Sequence, residues 1–236
     1  MSTVKESEAG ATPRKHPVPQ RAAAVVLGAG IALFGAGTLL HPPTVRREDL
    51  MHVILEGTSS KWLGDHWLLA LASALIAVGL AGFHAALARR PGGLGTAALA
   101  APLGAVSAAF WTGLFVFEAS AWPALAEAVA AGGGQSSPLL PVAQGVWNAS
   151  LALGYAGGVL FAAAVGLWSL DLAAAGEQGG TLGFARLGLA AAIYGAFAQA
   201  LAWAAPAAAL YLLIPAAALF GWWLLLAVLR LWRRSL

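Results

Sequence analysis

Long apolar segments are the feature that most restricts how this chain can fold. There are six of them, at roughly 21–40, 66–88, 95–118, 142–170, 181–204 and 206–230. A helix needs about 20 residues to cross the hydrocarbon core of a bilayer. Only 10% of the 236 residues are charged, whereas about a quarter are charged in a soluble domain. The sequence therefore predicts an all-α fold, a polytopic membrane bundle of six transmembrane helices.

The stretches between these segments predict the domain organisation. Residues 1–20 are polar and charged without hydrophobic periodicity, which predicts a disordered tail. Residues 21–236 are predicted to form a single transmembrane domain, whose breaks carry the turn-forming stretches "HPPT", "RRPGG", "AGGGQSSP" and "GEQGG". Only "WAAP" separates the last two segments, so Pro206 either begins a hairpin or kinks one long helix.

The distribution of lysine and arginine predicts the orientation. Four groups of them precede the first segment, follow the second and fourth, and end the chain, on one side of an alternating bundle, whereas Arg46, Arg47 and Lys61 in the first loop are balanced by four acids. Because cytoplasmic segments carry the excess of Lys and Arg, we expect both termini in the cytoplasm. The chain is thus predicted to span the cell membrane, a bacterial inner or plasma membrane, with the lipid bilayer as its partner. Topology explains the basic charge, so no nucleic-acid partner is expected. A cleaved signal peptide is disfavoured because no small-x-small site precedes "HPP".

Tryptophan is concentrated near the ends of the apolar segments. Such residues commonly anchor a membrane protein at the two interfaces. We therefore interpret six of them as an interfacial belt: Trp62, Trp67, Trp122, Trp222, Trp223 and Trp232.

The stretch 44–60 is predicted to be an extracytoplasmic interfacial helix and loop. On a helix over 45–56, the apolar side chains take one broad side, namely Leu50, Met51, Val53, Ile54 and Leu55. The other side carries Glu48, Asp49, His52 and Glu56. This amphipathic helix is too short to span the membrane, so we expect it to lie in the outer interface. Glu48, His52 and Glu56 repeat every four residues, a spacing that suits metal ligands, although a solvated polar face has the same pattern.

Several polar side chains fall within or at the ends of the apolar segments, where they are costly unless they face the bundle interior. His41 closes the first segment, His66 opens the second, and Glu118 lies near the outer end of the third. The fourth aligns Gln144, Asn148 and Tyr155 on one face, and Ser73 lies on a small-residue face of the second. Most of these residues fall at one outer level, beneath the interfacial helix. Individual snorkelling toward headgroups remains the alternative.

This layer predicts a binding site for a metal ion or a b-type haem within a membrane redox system. His41 and His66 are the predicted cofactor ligands, with His52, Glu56 and Glu118 as further metal ligands. The predicted polar pocket comprises Gln144, Asn148, Tyr155 and Ser73. Imidazole with carboxylate suits zinc, copper or iron, and paired imidazoles suit haem. The chain has no cysteine, which excludes thiolate ligands and cysteine nucleophiles.

Two other functions remain open. A non-catalytic membrane subunit could pack its 29 glycines and many alanines against partner subunits of a larger complex. A small transporter could use the face that carries His66, Ser73 and His84, but no acid or base lies at mid-membrane, where ion coupling usually needs one. No hydrolase motif is present, so the sequence assigns neither a reaction nor a catalytic residue.

Overall fold

Helices form nearly all of the described structure, a computed structural model that describes residues 20–41, 50–90, 92–176 and 181–233. The helices are α1 (Gln20–Leu40), α2 (Leu50–Glu56), α3 (Ser60–Leu87), α4 (Ala97–Ser120), α5 (Trp122–Ala131), α6 (Leu140–Ala174), α7 (Thr181–Ala204) and α8 (Ala209–Arg233). No strand occurs in these ranges. By length and composition, six helical segments could cross a membrane. The predicted all-α membrane bundle is therefore confirmed, and the protein is a multi-pass, membrane-spanning helical protein.

Parts of the predicted outer and tail regions lie beyond what the structure describes. The predicted tail falls outside the described residues except for Gln20, which begins α1. Glu48 and Asp49 also lie outside them, so α2 covers only the second half of the predicted amphipathic helix.

The six spanning helices form a closed antiparallel ring. Each packs against the next spanning helix in chain order, and α8 packs against α1. One end of the ring, here called the basic end, carries Arg21, Arg89, Arg90, Arg186, Arg230 and Arg233. The opposite end, here called the histidine end, carries the last turn of α1, the first turns of α3 and α6, and the last turn of α4.

Glycines allow α1 and α3 to approach each other closely. A Cβ on Gly79 would lie 2.5 Å from the Cβ of Leu27 and 2.7 Å from its Cα. A Cβ on Gly30 would lie 2.8 Å from the backbone nitrogen of Ile76. The two backbones are thus in direct contact, as small residues permit in membrane bundles. This contact brings the end of α1, followed by His41, against the start of α3.

The start of α3 differs from the prediction. The helix begins at Ser60 rather than near 66, because the Oγ of Ser59 caps it by accepting a hydrogen bond from the backbone N–H of Trp62 at 3.1 Å. The extra helical residues place Trp62 and Asp65 on the helix that carries His66.

Two short helices cover the histidine end. One of them, α5, is not predicted by the sequence pattern; it begins at Trp122 with Pro123 in its first turn, a position that tolerates proline. The apolar face of α2 packs on α5 and α6 in a cluster that comprises Leu50, Val53, Ile54, Trp62, Trp122, Ala126, Val129, Ala143 and Trp147. The apolar side of α2 therefore faces the top of the bundle. Leu55, predicted on that side, is 73% exposed instead.

Aromatic side chains fill the bundle toward the basic end. Four of them, here called the aromatic cluster, come from α3, α6, α7 and α8: Phe83, Trp168, Phe184 and Trp223. The indoles of Trp168 and Trp223 stack at an interplanar angle of 12°, and Phe83 meets both edge-on. These contacts close the centre of the ring at this level.

The predicted tryptophan belt is wrong for half of its members. Trp62, Trp122 and Trp223 are buried, whereas Trp67, Trp222 and Trp232 are about half exposed. The indole N–H of Trp62 and that of Trp122 reach backbone carbonyls inside the fold, which favours burial over an interfacial position.

The last two helices are separate. The backbone of Ala205 leaves the helical region at φ −129°, ψ 73°, and a single 3₁₀ turn over Pro206–Ala208 leads into α8. Pro206 therefore begins a hairpin rather than kinking one long helix.

Candidate functional site

His66 is the centre of a buried polar cluster at the histidine end. Its side chain is fully buried, and its Nδ1 lies 2.6 Å from Oδ1 of Asp65 and 2.7 Å from the carbonyl oxygen of Trp62. Both neighbours are hydrogen-bond acceptors, so Nδ1 carries a hydrogen and donates it. The lone pair of the neutral ring is then on Nε2.

The Nε2 of His66 faces two groups from other helices. Oε2 of Glu118, near the end of α4, lies 3.2 Å away. Nε2 of His41, which follows α1, also lies 3.2 Å away. His41, Asp65, His66 and Glu118 are here called the histidine cluster. The histidine cluster connects α1, α3 and α4, because α3 packs between the other two helices.

Aromatic rings enclose the histidine cluster. The indole of Trp62 stacks on the imidazole of His66 with ring centroids 4.1 Å apart, and its Nε1 donates a hydrogen bond of 2.9 Å to the carbonyl of Glu118. Phe115 meets the imidazole edge-on at 6.2 Å. Toward mid-membrane, Phe115 packs with an apolar group that also contains Phe34, Leu69, Ala70 and Trp111. The cluster therefore lies on an apolar floor.

The cluster contains two carboxylates, and no Lys or Arg among the described residues pairs with them. Asp65 is 2% exposed and Glu118 is 6% exposed. Neither forms an ion pair with a Lys or Arg that the structure describes. The second carboxylate oxygen of Asp65, Oδ2, is buried without a hydrogen-bond partner among the same residues. Buried negative charge is unfavourable unless it is paired, so the two carboxylates need a positive charge nearby, such as a proton on His66.

Two hydrogen-bond acceptors, Nε2 of His66 and Oε2 of Glu118, are in contact within the cluster. With the hydrogen of His66 on Nδ1, its Nε2 and the Glu118 carboxylate are both acceptors, and only a proton or a metal ion can make their contact favourable. Within the described ranges, no three His, Asp or Glu side chains already form a group that could hold a metal ion. The polar atoms are in pairwise contact instead.

The remaining predicted ligands lie apart from the histidine cluster. His52 is exposed on α2 and Glu56 is half-buried on the same helix. Neither is joined to the cluster by a hydrogen bond or ion pair within the described part of the chain.

The predicted polar pocket is dispersed. Nε2 of Gln144 donates a 3.2 Å hydrogen bond to Oδ1 of Asn148 on the same helix, α6. Tyr155 packs edge-on against Trp203 in a groove of about 230 Å³ between α6 and α7. Ser73 is buried on α3, and its Oγ has no partner among the described residues. These residues do not form one site with His66.

Sequence reasoning missed Asp65 and Trp62 as members of the site. The apolar pattern begins the second segment at 66, which leaves Asp65 in the preceding loop. The Ser59–Ser60 pair was the available signal, because serine before an apolar run is a typical N-cap. A helix that starts there includes both Asp65 and His66, which predicts that Asp65 is part of the site.

Comparisons with known proteins leave the site to be interpreted from its own geometry. No family model, no curated protein and no solved structure matches this chain.

Proposed function

We propose that this membrane protein binds one divalent transition-metal ion at the histidine end, through His41 Nε2, His66 Nε2 and Glu118 Oε2. The observation that supports this most is the position of the His66 Nε2. It faces an imidazole nitrogen and a carboxylate oxygen, each at 3.2 Å, while Nδ1 is committed to Asp65. Two imidazoles and one carboxylate suit zinc, copper or non-haem iron.

The separations agree with a shared ion. Two ligand atoms bound to a tetrahedral ion at about 2.0 Å lie about 3.3 Å from each other. Both Nε2–Nε2 and Nε2–Oε2 separations are already 3.2 Å. Binding would move His41 and Glu118 around a common point next to the His66 Nε2, which changes their pairwise contacts into coordination.

The hydrogen bonding of His66 also resembles that of a metal ligand. A histidine that binds a metal usually donates its other ring N–H to a carboxylate or a backbone carbonyl, which holds the tautomer and the ring orientation. The Nδ1 of His66 has both kinds of acceptor within 2.7 Å.

Charge favours a dication over a proton. With Asp65 and Glu118 ionised, the cluster carries two negative charges and no paired Lys or Arg among the residues described. A single proton on His66 would compensate only one of them. A divalent ion would compensate both, and a bound ion is commonly the largest charge in such a site.

The geometry supports an ion rather than haem. Two axial imidazole nitrogens on one iron would lie about 4 Å apart, twice a bond of about 2 Å. The His41 and His66 nitrogens are closer than this, and the ring centroids are 4.8 Å apart. The stacked indole of Trp62 occupies the next layer, so a porphyrin would have to displace aromatic rings.

A binding site is also better supported than a transport pathway. The apolar floor beneath His66 and the aromatic cluster toward the basic end separate the histidine cluster from the opposite side. Packing against partner subunits stays a prediction.

Metal analysis of the purified, detergent-solubilised protein tests the proposal. After equilibrium dialysis with Zn²⁺ or Cu²⁺ and removal of free metal, we expect about one ion per chain in the wild type and loss of binding in His66→Ala and Glu118→Gln. His84→Ala is the matched control, since it removes a histidine from the other end of the same helix, and it should keep full binding. A wild type that retains no metal, or an unchanged stoichiometry in a His66→Ala variant that elutes as a monodisperse species, would refute the proposed site.

A further inference from the structure

Arg90, at the basic end, has a buried N–H group with no acceptor. It lies just after α3, and its Nη1 has no hydrogen-bond partner among the described residues. A buried donor on a charged group is costly when it is left unpaired, more so than a neutral donor. An acceptor is therefore expected at this position.

A second guanidinium raises the positive potential at the same place. Helix α8 contacts α3, and Arg230 on the last turn of α8 lies near enough to Arg90 for their charges to interact. Its guanidinium carbon lies 4.9 Å from the ring centroid of Phe184, which positions it over the aromatic cluster. Arg230 has other interactions of its own. The group that lacks an acceptor is therefore Nη1 of Arg90. Like charges brought close together favour a bound anion.

The one acid that the structure describes at the basic end does not meet this need. Asp171 is the only Asp or Glu at the basic end within the described ranges, and it is buried. Its Oδ1 lies 3.5 Å from the Oγ1 of Thr96, which bridges it to the loop before α4. No ion pair joins Asp171 to Arg90. The anion must therefore come from another source than this carboxylate.

We propose that Arg90 and Arg230 form a binding site for a phosphate group at the basic end of the bundle. Guanidinium groups bind phosphate oxygens through paired, charge-assisted hydrogen bonds. Both residues lie at helix ends, at the level where phospholipid headgroups border the membrane, and basic pockets between spanning helices bind such headgroups. The phosphate belongs either to an anionic phospholipid or to a free phosphate ion. The site is separate from the metal site and does not depend on it.

Thermal unfolding of the full-length protein in a neutral detergent tests this site. We expect a saturable rise in Tm when phosphatidylglycerol is added, and a much smaller one with phosphatidylcholine. In a parallel arm, inorganic phosphate is added without lipid. A saturable rise there would assign the site to the free ion, and its absence beside a lipid response would assign it to the headgroup.

Neighbouring arginines provide the control. Arg90→Ala should abolish the response, and Arg90→Lys, which keeps the charge but loses the planar fork, should weaken the apparent affinity by about tenfold or more. Arg89→Ala removes the same charge from the same turn, but Arg89 is exposed, so the wild-type response should remain. An unchanged response in Arg90→Ala, an equal loss in Arg89→Ala, or no saturable rise with inorganic phosphate together with equal effects of the two lipids would overturn the proposal. Because none of these measurements involves metal, they succeed or fail independently of the histidine cluster.

Discussion

The side chain of Asp65 determines which ring nitrogen of His66 is available to bind a ligand. Its Oδ1 accepts a hydrogen bond from Nδ1 at 2.6 Å, which leaves Nε2 as the acceptor that faces His41 and Glu118. Three members of this cluster could be predicted from the sequence, because His41, His66 and Glu118 are conspicuous at the ends of apolar segments. Asp65 could not, since its role depends on where α3 begins. The predicted participation of Gln144 depended on its depth, and that of His52 on its spacing from Glu56 as well, and neither signal places a side chain on a facing surface.

At this scale we predict that Asp65→Asn weakens metal binding by about 10–100-fold, the usual effect of altering the partner of a metal-bound histidine. The substitution also removes a buried charge, whose Oδ2 is unpaired among the described residues. The metal-free variant should therefore be at least as stable as the wild type. Competition with a chromophoric chelator measures the affinity, and thermal unfolding measures the stability. Asp171→Asn, at the opposite end, is the control, and equal affinities in all three proteins would show that Asp65 does not position His66.

Among the elements, the α1–α3 pair has the closest backbone approach that bears on the site. Gly79 faces the backbone of Leu27, so the separation of the two helices depends on the absence of a side chain there. The sequence predicted both helices but not this contact, because glycine is frequent throughout the chain and its pattern does not distinguish a contact from an open surface.

We expect Gly79→Ala to force α1 away from α3, since the new Cβ would overlap Leu27. Overpacking of this kind costs about 1–3 kcal/mol. Because His41 follows α1, metal affinity should fall together with Tm. Gly64→Ala is the matched control on the same helix, where a Cβ meets nothing within 4 Å. It should be neutral or slightly stabilising, because alanine favours a helix over glycine by about 1 kcal/mol. Similar behaviour of the two variants would mean that this close contact does not hold α1 in place.

For the whole molecule, the number and the order of the spans could be predicted, but the arrangement of the ring could not. In a soluble bundle, the apolar face of a helix marks the core. Here the interior and the lipid-facing sides are both apolar: Leu27 is fully buried, while Val78 and Ile193 are 61% and 73% exposed. Hydrophobicity therefore does not identify the inward faces. For the same reason the aromatic cluster could not be predicted, and Trp223 was expected to be an interfacial anchor.

Adjacent tryptophans on α8 test which side faces the centre. Trp223 is fully buried against Trp168 and Phe184, whereas Trp222 is 59% exposed. Trp223→Ala should destabilise the bundle by about 3–5 kcal/mol, the range for a large core aromatic. Trp222→Ala should have only a small effect. Unfolding in a mild detergent series compares the two, and an equal or reversed loss of stability would be inconsistent with the central position of Trp223.

The closure of the ring by α8 against α1 has a consequence for biogenesis. Every other contact between neighbouring spans joins segments that leave the ribosome one after the other, so successive hairpins can pair as they enter the bilayer. The surface of α1 around Gly28, which receives Val228, has no such early partner. It must wait for the last span to be synthesised, and until then a nascent chain would present that surface to lipid or to an insertion chaperone.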